Sequence, residues 1–140
     1  MRYEVSTDID APVELIWRLT TEIDDWPAFL PTVHWLRRLD EGELRVGSSA
    51  RIKQPGQLSA VWTVTRLDPL REFTWETGRA GLRLIGSHLL DTAGAGTRLT
   101  LALETAGPAA GVVSALFGGM MRGSISRETE GFARQAVAVR

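Results

Sequence analysis

The sequence predicts an α+β fold in which an antiparallel sheet is covered by a long C-terminal helix. Three observations carry this expectation. Residues 2–9 alternate in polarity, so a half-buried strand opens the chain. Residues 33–105 are a succession of apolar and β-branched runs punctuated by turn residues, the pattern of consecutive hairpins. After Gly107-Pro108 the remaining residues to Arg140 read as one long helix. Hairpins pair antiparallel, and the helix is the only element large enough to cover the sheet's apolar face.

In the first strand, Tyr3, Val5, Thr7 and Ile9 share one side, while Arg2, Glu4, Ser6 and Asp8 share the other. "DAPVELIWRLTTE" follows as a helix. Pro12 suits its first position, where the missing N–H costs nothing. Val13, Ile16, Trp17, Leu19 and Thr20 form its apolar side. "IDDWPAFLP" is a second short helix or turn bounded by Pro27 and Pro31, with Asp24 and Asp25 placed to cap it. Six strands are then expected at 33–39, 48–54, 59–67, 72–79, 82–91 and 97–105. The segments "DEGE", "QPGQ", "LDPLRE", "RAG" and "TAGAGT" turn the chain between them. Gly118 and Gly119 weaken or bend the final helix, since glycine costs about 1 kcal/mol there relative to alanine.

Turn lengths give the registers. With Ala93–Gly96 as the loop, Thr92 meets Thr97, Leu90 meets Leu99, His88 meets Leu101 and Gly86 meets Leu103. These residues share the apolar face, because side chains alternate with period two. Arg83, Ser87, Asp91, Arg98, Thr100 and Glu104 take the opposite face. With Asp68–Arg71 as the loop, Leu67 meets Glu72, Arg66 meets Phe73, Val64 meets Trp75 and Trp62 meets Thr77. Trp62, Val64, Phe73 and Trp75 then make an aromatic-rich inner face, and Thr63, Thr65, Thr74 and Glu76 a wet one. Such a face is either core packing or the wall of a ligand cavity.

On the long helix, Val113, Phe117, Met120, Met121 and Phe132 lie in one broad apolar arc, and Ser124 and Glu128 fall inside it. A carboxylate on that face needs a partner or water. Glu128 therefore sits at the rim, pairs with an arginine, or makes a polar contact inside a cavity. His88 lines the interior, anchors a ligand or shuttles protons.

Composition removes several function classes. The 140 residues fit one domain, 1–140, with 44% hydrophobic and 24% charged residues, so the chain can bury a core without staples. Cysteine is absent, which excludes disulfides, thiolate metal sites and a thiol nucleophile, and fits a cytoplasmic location. A net charge of −1 offers no drive toward nucleic acid. No apolar run reaches the roughly 20 residues of a membrane span, and the N-terminus is no signal peptide. There is no dinucleotide fingerprint, P-loop or nucleophile elbow, and His34 and His88 lack metal-ligand spacing. Arg37, Arg38, Arg51 and Lys53 protect a sheet edge. No metal or cofactor is required.

The order of elements resembles the START-like, or Bet v 1-like, helix-grip superfamily, and within it the bacterial polyketide cyclase/dehydrase and lipid-transport family (SRPBCC). The residues that carry the likeness are "STDIDAPVELIWRLTTEIDDWPAFLP", Gly47, "WTVTRLDPLREFTWET", "GSHLLDTAGAGTRLTL" and the final helix. The resemblance implies a curved seven-stranded antiparallel sheet wrapped around the helix, with a deep apolar cavity between them. It implies a small hydrophobic ligand, lipid- or polyketide-like. Trp62, Trp75, Leu99, Leu101, Phe117 and Met120 would supply the apolar wall, and His88, Ser124 and Glu128 the polar contacts. The alternative is a cyclase/dehydrase-type enzyme, with His88 titrating near neutrality as acid or base. A protein-interaction helper of the same fold is the third reading. The oligomeric state, monomer or homodimer, stays open.

Overall fold

The computed structural model describes residues 1–140. Seven strands, β1 Arg2–Ile9, β2 Trp35–Arg38, β3 Ser49–Lys53, β4 Ala60–Asp68, β5 Glu72–Arg79, β6 Leu82–Ala93 and β7 Gly96–Ala106, form one antiparallel sheet. Its order is β1-β7-β6-β5-β4-β3-β2, so the first strand crosses over to pair with the last. Between β1 and β2 lie α1 Val13–Thr21, a 3-10 turn at Ile23–Asp25 and the short α2 Trp26–Phe29. The chain ends in α3, Ala110–Val139, an uninterrupted helix of 30 residues that runs through Gly118 and Gly119. It packs against β1 and β7, with α1 and α2 against its flank. This is the helix-grip arrangement expected from the sequence.

The β6–β7 register is the expected one: His88 lies opposite Leu101, Leu90 opposite Leu99 and Gly86 opposite Leu103. The turn is tighter, however, since Ala93 and Gly96 also pair and only Gly94 and Ala95 bridge them. Gly94 has φ 62, the left-handed geometry that two-residue hairpin turns require.

The β4–β5 hairpin corrects the expectation. Val64 does meet Trp75, but nearer the turn Leu67 meets Phe73 and Arg66 meets Thr74. A bulge between Val64 and Arg66 inserts Thr65 as an unmatched residue. Its physical effect is to change which side chains face inward. Without it Arg66 would continue the Trp62–Val64 face into the core. With it Leu67 takes the inner position, against the core cluster, and Arg66 faces water 3.6 Å from Glu72. A second correction concerns Asp24 and Asp25. Neither makes a side-chain cap bond, so they complement the helix dipole of the first turn without capping it. Pro12 likewise sits at the cap position, one residue before α1 begins.

Two polar contacts tie α3 to the sheet. Thr105 and Ser114 share a buried hydroxyl hydrogen bond of 2.9 Å at its start. At its end Arg140 Nη1 donates to the Asp10 carboxylate at 2.7 Å. The close packing of α2 on α3 depends on Gly131. A methyl there would lie 2.6 Å from Leu30 Cδ2 and 3.2 Å from the Phe29 carbonyl oxygen. Gly119, by contrast, is exposed and faces open space.

These two glycines should respond oppositely to one substitution. Gly119→Ala removes only backbone freedom, and is expected to stabilise the protein by about 0.5–1 kcal/mol. Gly131→Ala forces α2 off α3, and is expected to destabilise it by about 1–3 kcal/mol. Urea denaturation measures both, and equal shifts of the same sign would refute the close contact.

Candidate functional site

Sheet and helix part company along half of α3. Toward the C-terminus, Phe132 and Ala136 are fully buried. Toward the N-terminus, Phe117 and Met120 are 45% and 59% exposed, and the space beneath them is empty of protein. The result is a cavity of about 400 Å³ between α3, the β3–β4 loop and the inner face of β4–β7. Of its 23 lining residues 15 are hydrophobic, which makes the wall that of an apolar binding site, not of a water channel.

The floor is aromatic. Trp26 enters from α2, its indole N–H donating to the Leu19 carbonyl at 3.1 Å. Its ring meets Trp75 edge-on at 5.3 Å, His88 at 5.5 Å and Phe132 edge-on at 5.8 Å. Trp62 stands beside Trp75 at 5.7 Å, and both lie over Gly86, where a Cβ would be 3.5 Å from either ring. A methyl at 86 would make ordinary van der Waals contact with both indoles.

His88 is 5% exposed and stacks on Phe73 at 4.9 Å with an angle of 16°. Its Nδ1 is 3.0 Å from the Phe73 carbonyl oxygen. A carbonyl only accepts, so Nδ1 carries the proton and Nε2 keeps its lone pair. Burial pushes the imidazole pKa down to about 4, against the smaller opposing effect of that hydrogen bond. His88 is thus neutral at neutral pH. The expectation that it titrates near neutrality is overturned, because the ring is enclosed by aromatic side chains with no carboxylate beside it.

Glu128 takes the opposite course. It projects from α3 into the cavity and forms no hydrogen bond or ion pair. Burial raises its carboxyl to about 7, and the neighbouring Arg127 only partly offsets this. The arginine partner considered from sequence does not exist. Glu128 is consequently the lining group that exchanges a proton near neutral pH.

Of the residues singled out from sequence, Trp62, Trp75, His88, Leu101, Phe117, Met120, Ser124 and Glu128 all line the cavity. Leu99 does not. It is fully buried two residues nearer the β6–β7 turn, where α1 closes over the sheet and no space remains. Trp26 was missed, although it touches more of the floor's rings than any other side chain. A four-residue helix has no periodicity to reveal its inner face, and only the pairing of a tryptophan with Pro27 marked the spot. Gln54 and Gln57, at the mouth, read from sequence as turn residues. No three His, Asp or Glu side chains converge on a metal-sized site.

The two shifts predict opposing pH dependences that nearly cancel between about pH 4.5 and 6.5 in the wild type. The fold favours neutral His88, so its contribution is present above the ordinary value of 6.5 and is lost as pH falls through about 4. The fold also favours uncharged Glu128, so stability declines as pH rises from 4.5 through about 7. Urea denaturation of the wild type at about pH 4.5 and 6 should give nearly equal stabilities, with a lower value at about pH 8. In Glu128→Gln stability should rise from about pH 4.5 to 6, because only the His88 dependence is left, and in His88→Gln it should fall over the same range. Parallel profiles for the three proteins would refute these assignments.

Comparison with known proteins agrees with this architecture. The family model described as polyketide cyclase / dehydrase and lipid transport matches residues 1–137. The structure of TTHA0849 from Thermus thermophilus superposes with a TM-score of 0.78 at 18% identity, covering 99% of this chain and 98% of that one. The Zhui aromatase/cyclase from a Streptomyces species gives a TM-score of 0.78 at 17% identity, covering 97% and 93%. Norcoclaurine synthase from Thalictrum flavum gives 0.78 at 12%, covering 100% and 88%. At such identities these likenesses establish the fold alone. No curated protein matches the chain in sequence. The match across nearly the whole length makes this chain a member of the polyketide cyclase/dehydrase and lipid-transport family.

Proposed function

We propose that this protein binds a small, largely apolar molecule in the cavity between the sheet and the N-terminal half of α3. One observation carries the reading: an interior packed tightly at one end leaves about 400 Å³ at the other, with 15 of 23 lining residues hydrophobic. That volume lies within the range of about 300–1,000 Å³ typical of small-molecule sites. Trp62, Trp75, Leu101 and Phe117 form the apolar wall, and Met120 adapts to ligand shape. His88 Nε2, Ser124 and Glu128 supply the orienting polar contacts. The family description, which couples cyclisation with lipid transport, supports a ligand of this kind.

A second reading, a cyclase/dehydrase-type enzyme, is favoured by the divergent protonation of His88 and Glu128. Environments that push two titratable groups apart are a mark of acid–base sites. The roles differ from the sequence expectation. Glu128, with a pKa of about 7, is the group suited to donate or accept a proton beside a carbonyl, and neutral His88 offers an acceptor that holds the substrate.

Native mass spectrometry of gently purified protein tests the binding reading. A small-molecule increment should be present in the wild type and absent in Ser124→Trp, which fills the cavity from the helix. Identical spectra for folded samples of both would refute it. Turnover of a defined poly-β-ketone tests the enzymatic reading. Glu128→Gln should lower the rate by about 10²-fold or more, the usual contribution of a positioned proton-transfer group. A wild-type rate no greater than that of buffer would eliminate catalysis of this class.

A further inference from the structure

The charge pattern of the cavity selects among apolar ligands. Its polar lining side chains are Gln54, Gln57, Ser87, His88, Ser124 and Glu128, with no lysine or arginine among the lining residues. The single lysine, Lys53, stands beside the mouth, but its ammonium is held by the backbone carbonyls of Gln54 and Gln57. Arg127 is next to Glu128 in sequence but exposed, and forms no ion pair with it. The Ser87 hydroxyl is engaged by Thr74 at 3.0 Å. His88 Nδ1 is committed to the Phe73 carbonyl, so the imidazole offers the cavity a lone pair and no proton. The site therefore contains one carboxyl group without a counter-ion, one free acceptor nitrogen, and no fixed positive charge.

From this arrangement we infer that the cavity takes an apolar, ring-bearing molecule with a basic nitrogen at one end, an amine whose ammonium pairs with Glu128, and that it rejects carboxylates such as fatty acids. The inference rests on the proposed binding function and narrows its ligand class. A carboxylate half-buried in an apolar cavity without a partner is unfavourable, and an ammonium brought by the ligand supplies both charge and donors. A ligand carboxylate would meet a like charge and no donor stronger than a hydroxyl or amide. The aromatic floor of Trp26, Trp62 and Trp75 adds a surface attractive to cations as well as to rings. Desolvation raises the Glu128 carboxyl, and an ammonium beside it would draw it back toward the ordinary range.

Three probes of one shape and different charge test the inference: naphthylmethylamine, naphthalenemethanol and naphthoate, titrated calorimetrically into the intact protein near neutral pH. The amine should bind at least about tenfold more tightly than the alcohol, the scale of one charge-assisted hydrogen bond, and naphthoate most weakly. In Glu128→Gln, checked for folding by thermal melting, the preference for amine over alcohol should disappear. Binding of the probes without an amine preference, or a preference that survives Glu128→Gln, overturns the charge selection and leaves cavity binding standing. Failure of all three to bind overturns the cavity-binding proposal and this inference with it.

Discussion

The anchoring of one tryptophan organises the interior. Trp26 sits on a helix of only four residues, too short to hold a position by its own hydrogen bonds. Its indole N–H is fixed to the Leu19 carbonyl of α1, and its ring is wedged between the sheet, at Phe73, Trp75 and His88, and α3, at Phe132. Everything on the C-terminal side of this wedge is core. Phe29 meets Phe132 edge-on at 5.6 Å, and Gly131 lets α2 approach α3 closely. On the other side lies the cavity, closed at its far end by the buried Thr105–Ser114 hydrogen bond. Beyond this wedge the large side chains of α3, Phe117 and Met120, are partly exposed and leave the space beneath them unfilled.

The same wedge explains the electrostatics. By walling in His88 with aromatic rings it removes water from the imidazole, which therefore stays neutral and donates to the only acceptor beside it, the Phe73 carbonyl. Glu128 faces the unfilled side, where no arginine or lysine lines the cavity. His88 has one ring nitrogen satisfied by the core, while the Glu128 carboxyl has no partner in the protein. Their opposite pKa shifts have one physical origin, desolvation, which always opposes the charged form: the cation for histidine, the anion for glutamate.

Much of this architecture was legible in the sequence because it follows from local periodicity. Alternation gave β1 its inner face, and the glycine-rich turn set the β6–β7 register that aims His88 inward. Helical spacing placed Phe117, Met120, Ser124 and Glu128 on one face of α3, all of them in the cavity wall. The errors arose where distant packing overrides local pattern. The Thr65 bulge changes the β4–β5 pairing because an arginine cannot be buried where Leu67 fits, and turn length carries no trace of it. Leu99 shares the face of Leu101 but lies under α1, and a face alone does not say what covers it.

The sequence by itself thus determined the fold class, the order of elements and the direction in which most of the site residues point, since each of these rests on spacing within one strand or helix. Tertiary structure alone decided that Trp26 forms the floor, that Glu128 has no cation and that His88 holds no charge at neutral pH. Those properties depend on how much water and which neighbours remain around a side chain after elements distant in sequence have packed, and no local pattern encodes that quantity.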